Sequence, residues 1–218
     1  MKTETDQAIV LSRVNYGERD RILTLLTYSH GKISVLAKGV RTQKSRLAGG
    51  IELLSISDIS FIKGKSDLCT LTGARLVAHF ANIAPDIDRT ETAFRILKDI
   101  AKTTEDVTDK QYFDILRVAL SCLDDQSYDP QLVYVWTVMQ ILQHEGLAPN
   151  IQSSEGERFA FDHDQQVFMS SARGEFSRND LKLLHVCLRS TRPLKLKDSE
   201  IQTDAVVALC GRLQVAKA

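Results

Sequence analysis

The sequence predicts an α+β chain: a small five-stranded antiparallel barrel or sandwich at the N-terminus, followed by helices that are interrupted once by a β-hairpin. Three observations carry this. Up to about residue 76, short apolar segments alternate with Gly-centred turns. Beyond about residue 85 the apolar period lengthens from two to about 3.6. Near residue 160, two β-rich arms flank a polar turn outside the helical pattern.

The five strands follow in order. QAIVLSRV (7–14) ends at NYGERD, RILTLLTY (21–28) ends at SHG, and KISVLAK (32–38) runs into a basic stretch. LLSISDISFIK (53–63) and LCTLTGARL (68–76) flank the turn GKSD. The inward phase slips between Ile56 and Ile59, which predicts a bulge in the fourth strand. Closing the five strands on themselves would leave no long exposed edge.

The helices are specified by stripes and caps. TETAFRILKDIAK aligns Ala93, Ile96, Leu97 and Ile100, and KQYFDILRVALSCL aligns Phe113, Leu116, Leu120 and Leu123. DPQLVYVWTVMQILQHEG opens with Asp129 as N-cap and Pro130 at the first helical position, then closes at Gly146. These helices are expected to pack together. RFAFDHDQQVFM (158–169) is the hairpin. Ser177 and Asp180 have capping-box spacing before SRNDLKLLHVCL, and a last helix runs from about Asp198 to the C-terminus. The expected division is a barrel domain over 1–78 and a helical domain over 79–218, with its hairpin at about 157–170.

Composition bounds the function. No apolar run approaches the ~20 residues that cross a bilayer, and the first residues lack the apolar centre of a signal peptide, so a cytoplasmic protein without a membrane partner is expected. Cys69, Cys122, Cys187 and Cys210 form no C-x-x-C pair and read as small buried hydrophobes. The 28 basic and 28 acidic side chains cancel, but not locally. Residues 1–80 hold 12 basic against 7 acidic side chains, and 81–150 hold 6 against 12. Such asymmetry points to a polyanion meeting one part of the chain only.

Signatures of catalysis are missing. GKS at Gly64 to Ser66 imitates the end of a P-loop, but the pattern needs Gly where Ile59 stands. There is no G-x-S-x-G elbow, and the five histidines show no H-x-x-x-H spacing. The acidic residues Asp86, Asp88, Glu105, Asp106, Asp109, Asp124 and Asp125 gather largely at helix ends. The chain therefore reads as no enzyme, with no catalytic residue, no small-molecule substrate, no cofactor and no metal.

The stretch KGVRTQKSRLAGG (38–50) is the exception to this blandness, with four cations and no acid. Lys38, Arg41, Lys44 and Arg46 repel one another unless an anion neutralises them, and their spacing lets several reach successive phosphates. Arg13, Arg19 and Arg21 lie around NYGERDR, and Lys63 and Lys65 in the fourth connection. These nine residues are the candidate set for binding DNA or RNA, with a solvated loop as the plainer reading of the basic stretch. Tyr16, Tyr28 and Phe61 are the aromatic candidates for base stacking or for core packing.

The segment NYGERDRILTLLTYSHGKISVLAKGVRTQKSRLAGG resembles the N-terminal domain of the RecO family, whose members show Y-G-E-x-D, then H-G-K and a G-x-R…K-S-R-L run. The resemblance is close from Tyr16 to Gly50 and looser to about Leu76. It implies an OB-fold followed by a helical domain and binding of single- and double-stranded DNA. It also implies strand annealing, exchange of single-stranded DNA-binding protein (SSB) for recombinase, and partnership with RecR and with the SSB C-terminal tail. Such a protein would be cytoplasmic and associated with the nucleoid. For the acidic tail with its apolar end, Arg95, Lys98, Lys102 and Arg117 form a possible basic rim. In one respect the chain departs from the family. Many members carry a zinc ribbon with two C-x-x-C pairs, whereas here the equivalent region offers Ser153, Ser154, Ser170 and Ser171, which supply no thiolate. A protein-interaction adaptor with little DNA binding is the alternative.

Overall fold

In the computed structural model, described for residues 2–43, 45, 47–64, 67–105, 107–151, 156–195 and 203–215, the chain divides into two compact units, 1–124 and 125–218. The first begins with five strands: β1 (Thr3–Tyr16), β2 (Asp20–Thr27), β3 (Gly31–Ala37), β4 (Ser55–Ile62) and β5 (Leu68–His79). They close into a barrel in the order β1-β2-β3-β5-β4, with β3 and β5 parallel and the other pairs antiparallel. This is the OB-type barrel that the resemblance implies; strand spacing alone left a sandwich open and did not show the parallel β3–β5 pair, which joins segments distant in sequence. The expected irregularity in β4 is present, because its register against β5 shifts between Ile56 and Ser57 and again between Ser60 and Phe61.

Alternation along the strands fills the barrel with Ala8, Val10, Leu23, Leu25, Val35, Ile59, Phe61 and Leu71, each removed from water. Burial of side chains this size stabilises by about 1.5–3 kcal/mol apiece. A short 3-10 turn, Ala48–Gly50, packs against β4 and β5. A Cβ on Gly50 would stand 2.7 Å from the Ala74 backbone, so only glycine allows this approach.

The opposite phase of the strands is covered only in part. Ile9, Leu26 and Ile56 share one outward row and are buried, although they lie outside the barrel core. Helices α1 (Ile87–Thr103) and α2 (Lys110–Asp124) pack on each other and on β1 and β2, and Tyr28 meets Phe113 edge-on at 5.5 Å. The predicted stripes Ala93/Ile96/Leu97/Ile100 and Phe113/Leu116/Leu120/Leu123 are buried. The sequence HGK makes this docking possible. His30 bridges Asp6 (2.7 Å) and Glu4 (3.0 Å), Gly31 turns at φ +67° against the Val107 carbonyl, and Lys32 Nζ donates to the Ala101 carbonyl near the end of α1 (2.8 Å). The compact unit runs on to residue 124, past the end of β5 at His79 and through α1 and α2.

The second unit holds α3 (Pro130–His144), β6 (Arg158–Asp162), β7 (Val167–Ser170), β8 (Phe176–Ser177), α4 (Arg178–Arg189) and α5 (Asp204–Val215). Asp129 caps α3 by accepting from the Gln131 and Leu132 amides, with Pro130 in the first turn. The Ser177/Asp180 capping box is formed in both directions. Trp136 in α3 donates to the Ser190 carbonyl (3.0 Å) beyond α4. Residues 196–202, where the last helix was expected to begin, lie outside the described residues, and α5 starts at Asp204.

The hairpin β6–β7 forms, joined by β8 on its other edge. Phe168 meets Phe161 at a tilt (4.8 Å) and Phe176 edge-on (5.3 Å), while Arg158 and Arg178 donate to the Gly174 and Gly156 carbonyls. These donors do not suit zinc. Among the described residues no three His, Cys, Asp or Glu side chains are grouped to hold a metal ion, and Ser153 and Ser154 lie outside them. All four cysteines are free and buried, as expected, and burial pushes the Cys187 thiol up to about 12. Among the described residues no helix is long and apolar enough to cross a membrane.

Candidate nucleic-acid interface

One part of the barrel that α1 and α2 leave open is the outer face of β1–β2–β3 toward the β1–β2 turn. Strand register places Ser12, Thr24 and Ser34 in one row, Val14, Ile22 and Leu36 in the next, and Tyr16 opposite Asp20 beyond them. Leu68 and Thr70 of β5 extend the first two rows. The face is therefore hydroxyl-bearing and apolar in its middle, with Val14 63% and Tyr16 55% exposed.

Three of the candidate cations lie at the β1–β2 end of the barrel. Arg19 sits in the β1–β2 turn, Arg21 opens β2 opposite Ala37, and Lys38 follows β3 directly. The basic loop is tied to that turn by three hydrogen bonds. The Arg41 amide donates to the Arg19 carbonyl (3.0 Å), Arg41 Nη1 to the Gly17 carbonyl (3.0 Å), and the Gly39 amide to Asp20 Oδ1 (2.7 Å). These bonds hold the start of the basic loop against the β1–β2 turn, so Arg19 and Arg41 lie in adjoining segments, while Arg21, in register with Asn15 and Ala37, shares the phase of the core residue Leu23. None of Arg19, Arg21, Lys38 and Arg41 pairs with a carboxylate among the described residues; Arg21 Nε reaches only Asn15 Oδ1, at 3.3 Å.

The remaining candidates separate. Arg13, level with Leu23 and Val35, is held by Glu52 at 2.7 Å. Lys63 lies at the opposite end of β1, beside Thr3↔Ile62, where Glu4 binds it at 3.1 Å and joins it to His30. Lys44, Arg46 and Lys65 lie outside the described residues. Of the aromatic candidates, Phe61 is in the core and Tyr28 rests on Phe113, which leaves Tyr16 in solvent. Sequence reasoning missed Val14, Ile22 and Leu36 as surface. Their alternation was visible, but not which phase α1 and α2 would cover.

The acidic residues largely cap and tie the backbone. Asp86 caps α1, Asp124 accepts from Asn82 (2.8 Å), and Asp109 accepts from the Gln111 amide (2.9 Å). Asp125 is held down at about 2, mainly by hydrogen bonds from Ser127 and then from Lys195. Arg117 pairs with Asp114 at 2.9 Å, and Arg95, Lys98 and Lys102 are exposed on α1 beside the exposed Phe94.

Residues 1–80, which include all five strands of the barrel, are matched by the sequence model of the family described as Recombination protein O N terminal. DNA repair protein RecO of Myxococcus xanthus is 31% identical over 169 residues, 74% of this chain and 69% of that one. The chain belongs to the RecO family. The RecO protein of Bifidobacterium longum is 35% identical over 153 residues, 69% of this chain and 64% of that one. That of Dehalococcoides mccartyi is 33% identical over 147 residues, 67% and 57% respectively. The matched region therefore spans between 57 and 69% of these RecO proteins' own length. They are named as DNA repair proteins.

Proposed function

We infer that this RecO-family chain is a DNA-binding recombination mediator that works without catalysis, in the cytoplasm at the nucleoid. The observation that carries this reading is that Arg19, Arg21, Lys38 and Arg41 all belong to the β1–β2 end of the barrel and the loop bonded to it. These side chains lack carboxylate partners among the described residues and adjoin an uncovered face of an OB-type barrel. OB-type barrels bind oligonucleotides on strands 2 and 3 and the flanking loops.

Phosphates of two strands neutralised on one surface no longer repel each other, and the counterions released on binding drive association. Annealing of complementary strands follows without nucleotide hydrolysis. Single- and double-stranded DNA, RecR and the SSB tail are the partners. For that acidic tail, Phe94 with Arg95, Lys98 and Lys102 on the exposed side of α1, and Arg117 on α2, give an apolar spot with a basic border.

The test is a salt titration of oligonucleotide binding by the intact chain. With ~4 to 8 phosphate contacts, log K against log salt should slope at about −3 to −6. Arg41→Glu and Arg46→Glu should weaken binding for all sequences alike, and a slope near zero would overturn the electrostatic account. The Arg13–Glu52 and Lys63–Glu4 pairs favour the second reading, an adaptor with little DNA binding, because they withdraw two cations. An adaptor would bind RecR or SSB without retarding a labelled oligonucleotide at low salt.

A further inference from the structure

We propose that Tyr16 is the residue that makes this surface prefer single-stranded DNA over duplex, by stacking a base on its exposed ring. The inference rests on the DNA-binding reading above and adds the means of strand selection to it.

Among the aromatic residues of the barrel, Phe61 and Phe80 are buried and Tyr28 is fixed against Phe113. The Tyr16 ring, 55% exposed, has no ring, cation or hydrogen-bond partner among the described residues. Two residues earlier on the same face stands Val14, 63% exposed, in a row with the half-buried Ile22 and Leu36. An open ring followed on the same face by an apolar row gives a base a flat, water-facing surface to lie on. The ring also stands where β1 enters the turn that carries Arg19, and Arg41 is bonded to that turn. Asp20, opposite Tyr16, is engaged by the Gly39 amide.

A ligand that suits all of these at once carries π-faces and a regular row of anions. A single strand does so, with bases free to lie on Tyr16 and Val14 and phosphates within reach of the guanidinium groups. A duplex offers the same phosphates, but its bases are already stacked inside. The cations therefore attract both forms, and the ring distinguishes them.

Binding of the intact chain would be measured by fluorescence anisotropy with three probes of equal length: oligothymidine, an abasic oligomer of the same backbone, and a duplex. Stacking contributes about 1–3 kcal/mol per base, so Tyr16→Ala should lower the ratio of oligothymidine to duplex affinity about 5- to 150-fold. The ratio of oligothymidine to abasic affinity should fall in parallel, and Tyr16→Phe should preserve both ratios. Equal loss on all three probes would assign Tyr16 to scaffolding and overturn the proposal. So would unchanged ratios in Tyr16→Ala while Arg41→Glu weakens every probe, a result that leaves the DNA-binding reading standing. Wild-type chain that binds none of the probes at low salt would instead overturn that reading, and the proposal with it.

Discussion

Among the nine candidate cations, the distinction that matters is between those with a carboxylate and those without. Arg13 and Glu52 are 39 residues apart, and nothing in either segment announces their pairing at 2.7 Å. The pair is half exposed and adds little stability, about 0–1 kcal/mol. Its larger effect is to neutralise a cation at the mouth of the barrel. Glu52→Gln should therefore tighten DNA binding a few-fold at low salt and steepen the salt slope by about 0.7, the share of one added phosphate contact. The gain should vanish at high ionic strength, and a titration showing unaltered affinity would exclude Arg13 from the contact. A second residue, Gly31, was legible only as a turn. Its φ of +67° and the 2.7 Å that would separate a Cβ from the Val107 carbonyl make it a docking point between barrel and helices. Gly31→Ala should destabilise by at least about 2 kcal/mol in urea unfolding, from left-handed strain and overpacking together.

At the scale of elements, the sequence was read most accurately where the signal is local. Asp129 and Pro130 opened α3, and Ser177 with Asp180 closed the capping box although Asp is the weaker partner there. The alternation in β4 placed its bulge. What covers a strand's outward face is set by segments far away, so Ile9 and Leu26 under the helices could not be told from Val14 and Ile22 in the open. The β6–β7 hairpin was legible as a hairpin, but not the aromatic contacts and arginine–carbonyl bonds that hold it. We expect a chelator to leave its melting temperature unchanged, and Phe168→Ala to destabilise the second unit by about 3–5 kcal/mol in denaturant unfolding. A melting temperature that falls with chelator would restore a metal to this region.

For the whole molecule, the charge gradient along the chain becomes a spatial one within the first unit, where the basic loop is bonded to the β1–β2 turn. The unit itself ends later than the change from strand to helix suggests. A fragment ending at residue 124 should unfold in one cooperative transition. One ending at 78 should expose Ile9, Leu26 and Ile56, bind a hydrophobic dye and aggregate. A stable monomer of the shorter fragment would support the division at 78.

The three hydrogen bonds that fasten Arg41 and Gly39 to the β1–β2 turn also bear on how fast the protein can act. A guanidinium already seated on a carbonyl has surrendered much of its rotational freedom during folding, so an arriving phosphate does not have to immobilise it. Encounters with a polynucleotide can then become productive without a loop rearrangement. The proposed annealing, in which one strand is released and another taken up, would draw on that readiness.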